Sequence, residues 1–175
     1  MKICAFTGSR PEKMPVLQNP ESAEYKELIG RIRTQIKELT ERENVTSYLS
    51  GAAKGIDLIA AEIVLELKRD YPKITLECVV PYLAQANGWS EEHKEQYQSV
   101  LDRSDKVTVL QEDFSRGCLQ KRNRYLVENA DIVLAVWNGT KGGTEYTIKY
   151  AEKLNKELII IHVDQDGNGG CCAKT

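Results

Sequence analysis

Residues 50–62 read SGAAKGIDLIAAE. A serine, two glycines and a lysine share one turn, and an apolar run begins at once. A turn that only reverses the chain has no need of a cation and an acid where a helix starts. Glycine lets backbone approach a ligand closely and leaves N–H groups uncrowded. A helix N-terminus adds unpaired donors and partial positive charge. Together they suit an anion, typically phosphate. Ser50, Gly51, Lys54 and Gly55 are therefore candidates for phosphate contact. Asp57, at the start of the helix, either binds ribose hydroxyls or caps its own helix.

Ahead of this turn, VTSYL (45–49) has the β-branched and aromatic character of a strand. Behind it, Ile56 to Leu67 is apolar over most of its circumference, which predicts a buried helix. The alternation continues outward in both directions. ICAF (3–6), ITLECVV (74–80), KVTVL (106–110), DIVLAVW (131–137) and ELIIIHV (157–163) are further predicted strands. Several are almost continuously apolar, as in strands covered on both faces. Between them, ESAEYKELIGRIRTQIKELTERE (21–43) puts Tyr25, Leu28, Ile29, Ile32, Ile36 and Leu39 on one stripe. Helical patterns also run over 90–105, 119–130 and 144–156. A β-α-β order of this kind predicts an α/β fold, a Rossmann-like three-layer sandwich with a mainly parallel sheet. Residues 1–163 are expected to form one domain, with a flexible Gly-rich tail at 164–175.

The composition is that of a soluble globular chain, 41% hydrophobic and 29% charged. A net charge of −2 does not mark the whole chain as a polyanion binder. No apolar stretch is long enough to span a bilayer. MKICAFTGSRP reads as a first strand rather than a signal peptide, so a cytoplasmic location without a membrane partner is expected. Cys4, Cys78, Cys118, Cys171 and Cys172 contain no CxxC pair, and with only two His neither a metal site nor a cofactor is expected. In the tail, Asp164, Asp166 and Asn168 imitate the start of a calcium loop, but its closing acid would fall at Thr175.

In an open parallel sheet, ligands bind beyond the carboxyl ends of the strands. The other loops at that edge are TGSRP (7–11), PYLAQANGW (81–89) and NGTKGGTE (138–145). Gly8, Ser9 and Arg10 make a second anion-friendly turn, and Gly142, Gly143 and Thr144 a third. None is a Walker loop or a GxGxxG fingerprint, and each alone could be a tight connection with a cap. Tyr82 and Trp89 either stack on a base or pack over the sheet end. QKRNRY (120–125) is the densest cationic cluster. A solvated helix face is the default for Lys121, Arg122 and Arg124, while the Asn123 amide could serve a base or ribose.

These residues resemble the SLOG superfamily, the Rossmann-like fold shared by LOG-type nucleotide phosphoribohydrolases and the DNA processing protein A family. TGSR resembles the first glycine turn of that superfamily. SGAAKGIDLIAAE is similar to the SG-x-A-x-GID-x-x-A element of the DNA processing family. QKRNRYLVENADIVLAVW resembles its RNR segment and following strand, and GGTEYTIKYA its closing helix start. Chain size and the PYLAQANGW loop are similar to the small stand-alone YpsA-like branch. The resemblance covers nearly all of residues 1–163 and implies a nucleotide or nucleotide-derived ligand at this strand edge.

It leaves the reaction open. LOG-type enzymes use an Arg before this strand and a Glu in GGxGTxxE. By spacing, Arg122 matches the Arg, but Thr147 stands where the Glu belongs, and Glu145 lies two residues early. Hydrolysis of an N-glycosidic bond needs charge stabilisation and usually an acid or base near water. Arg122, Glu145 and Asp57 are the candidate catalytic residues. A nucleotide-binding or sensing protein is the leading expectation, ahead of a nucleotide phosphoribohydrolase. Binding of single-stranded nucleic acid through Arg10, Lys54, Lys121, Arg122 and Arg124 comes third, because the chain is acidic overall. A homodimer is expected only as the commonest assembly.

Overall fold

The computed structural model describes residues 1–164. The tail from residue 165 on, with Cys171, Cys172 and the calcium-loop imitation, lies outside the described residues. The strands are β1 (Lys2–Gly8), β2 (Val45–Ser50), β3 (Thr75–Val80), β4 (Lys106–Val109), β5 (Ile132–Trp137) and β6 (Glu157–His162). The helices are α1 (Ala23–Arg42), α2 (Ile56–Leu67), α3 (Glu91–Arg103), α4 (Cys118–Glu128) and α5 (Gly143–Lys153). The six strands form one sheet in the order β4-β3-β2-β1-β5-β6. Every pair is parallel, so the fold is the expected Rossmann-like α/β sandwich.

Helix formation follows the apolar spacing. In α1, Leu28, Ile32, Ile36 and Leu39 are buried along one stripe, and Ser22 caps the start by accepting from the Tyr25 N–H at 3.1 Å. Helix α2 buries Ile56, Leu58, Ala60, Ala61, Ile63 and Val64, because α1 packs on one side of it, α3 on another and the sheet beneath. Ser90 caps α3, accepting from the His93 N–H at 3.4 Å. The largest core lies between the sheet and α1, α2 and α3, with Phe6 stacked on Tyr48 at a centroid distance of 5.6 Å. On the opposite face, α4 covers Ala5, Leu49 and Val79 through Leu126, and α5 covers Val133 through Ala151.

The sequence reading assigns no element to residues 11–18. The structure forms two 3-10 turns there, Pro11–Lys13 and Pro15–Gln18. Each begins with a proline, whose fixed φ and missing N–H suit the first position of a helical turn. Strand β4 is shorter and more exposed than its apolar sequence implies. It is an edge strand, with Val107 and Val109 about 42% and 41% exposed.

One feature of topology positions the site. From β1 the chain steps outward through β2 and β3 to β4, then crosses back to lay β5 on the other side of β1. Loops leaving β1 and β5 therefore diverge to opposite faces and open a crevice at the strand ends. Gly8 pairs with Val136 in register at that point.

Candidate functional site

A cleft of about 590 Å³ occupies this crevice. Its walls include Gly8, Ser9 and Arg10 after β1, Gly142, Gly143 and Thr144 after β5, and Asp57, Arg122 and Asn123 from α2 and α4. Nine of the residues expected at the site thus share one cavity. Its volume lies within the range of about 300–1,000 Å³ common to small-molecule sites. Among the described residues four cations line it, Arg10, Lys13, Arg122 and Lys141, against two carboxylates, Glu12 and Asp57. Both carboxylates are engaged by cations, Glu12 by Lys54 and Asp57 by Arg122.

Arg122 is the least expected part of the arrangement. A cationic run on a helix predicts a solvated face, and Lys121 and Arg124 are indeed exposed. Arg122 instead points under the sheet edge and is only 5% exposed. Its Nη1 donates to the Gly51 carbonyl and lies 3.4 Å from Asp57 Oδ2, while Nε donates to Asn123 Oδ1 at 2.8 Å. Nη2 takes no acceptor among the described residues and is not enclosed. Burial lowers the affinity of the guanidinium for its proton, and the Asp57 charge opposes this; Arg remains a cation near neutrality. Burial also pushes the Asp57 carboxyl above its usual range, against the pull of Arg122, the Ala53 N–H and Arg10.

The turn that opened the sequence reading lies behind this wall. Ser50 is fully buried, donating from Oγ to the Asp57 carbonyl at 2.8 Å and accepting from the Ala52 N–H at 3.1 Å. A Cβ on Gly51 would overlap the Arg122 guanidinium and come within 2.6 Å of Asp57 Oδ2. Gly55 has φ +94°, and a Cβ there would lie 2.9 Å from the Ser9 carbonyl oxygen. These glycines admit an arginine and a neighbouring turn. Ser50, Gly51, Lys54 and Gly55 are not part of the cleft lining.

Three further expectations fall outside the cleft. Glu145 accepts from Lys149 at 2.6 Å, a bond that holds its carboxyl below the usual range, and it does not line the cavity. Thr147 is buried and donates to the Gly143 carbonyl at 2.8 Å. Tyr82 meets Phe114 edge-on at 5.4 Å, and Trp89 meets Tyr97 likewise at 5.5 Å, so both aromatics pack over the sheet end. Two aromatics do border the cleft among the described residues: Phe6, which is buried in the core, and Tyr146, stacked on Tyr150 at 6.2 Å with a 3° interplanar angle; the unforeseen one is Tyr146. Its signal in the sequence is the helical spacing from Gly143, which puts it one turn above the Gly-Gly-Thr start. Lys13 was equally unforeseen, because the 3-10 turns carry it across to donate to the Lys141 carbonyl at 3.4 Å.

Among the described residues there is no cluster of potential metal ligands. No described helix is long and apolar enough to cross a membrane.

Comparison with known proteins extends these observations. A family model, YpsA, described as the YspA SLOG family, matches residues 4–165. The uncharacterized SPbeta prophage-derived protein YoqJ of Bacillus subtilis (strain 168) is 29% identical, over 85% of this chain and 93% of its own. A UPF0398 protein of Bacillus thuringiensis (strain Al Hakam) is 28% identical, over 93% of this chain and 88% of its own. Among solved structures, the fold is similar to DNA processing protein A from Helicobacter pylori, described for its single-stranded DNA binding mode. That match has a TM-score of 0.61 at 22% identity, over 91% of this chain and 64% of the other. DNA processing protein A (DprA) from Streptococcus pneumoniae matches with a TM-score of 0.65 at 18% identity, over 95% of this chain and 53% of the other. The chain therefore spans less than two thirds of either DNA processing protein.

Proposed function

The chain belongs to the YspA SLOG family, and on that footing we propose that it binds a nucleotide or nucleotide-derived molecule in the cleft between β1 and β5. The observation that carries this reading is Arg122. A guanidinium buried to 5% exposure, with Nη1 and Nε bonded to protein and Nη2 left over, is a prepared contact for an anionic oxygen. The glycine turns beside it supply backbone N–H groups and room for a phosphate, and Tyr146 offers an aromatic face for a base.

Binding rather than hydrolysis is the favoured outcome. Glu145 is tied to Lys149 and does not line the cavity, and Thr147 stands where LOG-type enzymes have their Glu. Asp57 does line the cavity, but its carboxylate is committed to Arg122 and the Ala53 N–H. The test is calorimetry with nucleoside monophosphates, beside chromatography for released base. We expect binding without turnover, and stabilisation of about 2.7 kcal/mol at 100 times the dissociation constant. Arg10→Ala, which removes a half-buried cleft cation, should weaken binding roughly 10-fold or more. Multiple turnovers that disappear in Asp57→Asn would replace this reading with the hydrolase.

A further inference from the structure

A second concavity adjoins the cleft. It measures about 530 Å³ and is lined by Arg116, Lys121 and Arg124, together with Gln120 and Tyr146. Gln120 and Tyr146 line the cleft as well, so the two spaces meet at these side chains. Among the described residues the groove lining holds three cations and no carboxylate. Among the described residues, neither Lys121 nor Arg124 nor Arg116 has an ion pair or a side-chain hydrogen bond. Two nearby cations are matched by acids, Lys149 by Glu145 and Lys54 by Glu12. A concave surface lined by one sign of charge focuses the field and draws in a counter-charge. The ring between the two spaces is that of Tyr146, and rings of this kind stack bases of any identity.

We propose that the molecule bound here carries two phosphate groups one nucleotide apart. One sits in the cleft with Arg10 and Arg122, the other in the groove with Lys121 and Arg124, and a base lies against Tyr146 between them. This deepens the nucleotide reading and rests on it. A mononucleotide fills only the cleft. A 5′-phosphorylated dinucleotide fills both spaces, whether it is a free molecule or a unit within a longer strand.

The experiment is calorimetry on the full chain with three probes: AMP, the 5′-phosphorylated dinucleotide pApA, and a 20-nucleotide oligoadenylate. Each is titrated into the wild type and into the double variant Lys121→Gln/Arg124→Gln, in buffer of about 0.15 M salt to screen the groove from the cleft. Both positions are exposed, so the variant should fold, which circular dichroism and a melting curve would check. We expect pApA to bind the wild type about 10-fold more tightly than AMP, a difference of about 1.4 kcal/mol. The double variant should bring pApA down to the affinity of AMP while leaving AMP unchanged. If AMP binds but pApA binds no better, or the double variant keeps its preference for pApA, the two-phosphate site is overturned and the cleft reading stands. If neither AMP nor pApA binds at millimolar concentration, both readings fall. The oligonucleotide arm identifies the source. Equal affinity for pApA and the oligonucleotide, site for site, supports a free dinucleotide. Tighter oligonucleotide binding with a steeper salt dependence supports a strand.

Discussion

At the scale of single residues, Gly51, Asp57 and Arg122 act as one unit. Removing one member of a buried ion pair leaves the other charge stranded, which costs about 3–5 kcal/mol. Arg122→Ala and Asp57→Ala should each lower unfolding free energy by that amount in urea titrations. Gly51→Ala should approach it, because its Cβ would occupy the place of the guanidinium. Replacing both charges together, by Arg122→Met with Asp57→Leu, should restore most of the stability while nucleotide binding stays lost. A double variant as unstable as the singles would show that the pair is not what holds this wall. Gly143→Val separates the two effects from the other side. The nearest atom to a Cβ there is Asn123 Nδ2 at 3.8 Å, an ordinary contact. Stability should stay within about 1 kcal/mol, and nucleotide affinity should fall at least 10-fold as the side chain enters phosphate space.

At the scale of elements, Asp105 shows how short connections are fixed. Its carboxylate accepts from Lys68 Nζ at 2.6 and 2.7 Å and from the Leu76 N–H at 2.8 Å. One side chain thus ties the end of α2 to the start of β3, just ahead of β4. Partial burial opposes the ionised form, but these bonds outweigh it and hold the carboxyl below its ordinary value of 3.8. A depressed acid contributes stability above its unfolded value and loses it as pH falls below that value. Wild type should therefore lose stability more steeply than Asp105→Asn below about pH 4, and Asp105→Ala should cost about 1–3 kcal/mol at neutral pH. Equal acid slopes would remove Asp105 from this role. The elements themselves were largely legible in the sequence, because runs such as DIVLAVW and the α1 stripe have one periodicity each. The turns at Pro11 and Pro15 were not, since residues 11–18 are too short and mixed to show a period.

At the scale of the whole molecule, the strand order accounts for both what was readable and what was not. Which turns meet was readable, because every strand in a parallel sheet delivers its carboxyl end to the same edge. Which side chains enter the cleft was not, because that depends on how helices roll over the sheet. Arg122 turns inward and Lys121 and Arg124 outward only once α4 is docked through Leu126 and Val127. Tyr82 and Trp89 were drawn off by aromatic neighbours on other elements, Phe114 and Tyr97. The same order predicts where the molecule opens first. Strands β1, β2, β3 and β5 are paired on both sides, with β1 and β2 at the centre, whereas β4 and β6 are edges. Amide exchange should be slowest in β1 and β2 and fastest among strands in β4, and nucleotide should slow exchange most in the loops after β1 and β5.

The close fit between Gly51 and Arg122 also bears on how such chains can diverge. The two positions lie 71 residues apart, on different elements, yet one has room for the other only while it lacks a side chain. A lineage cannot exchange the glycine first without losing its arginine's seat, whereas it can shed the arginine first and later fill the gap. The order of substitution is thereby given a direction. Chains carrying a side chain at the first position should therefore lack the long cation at the second.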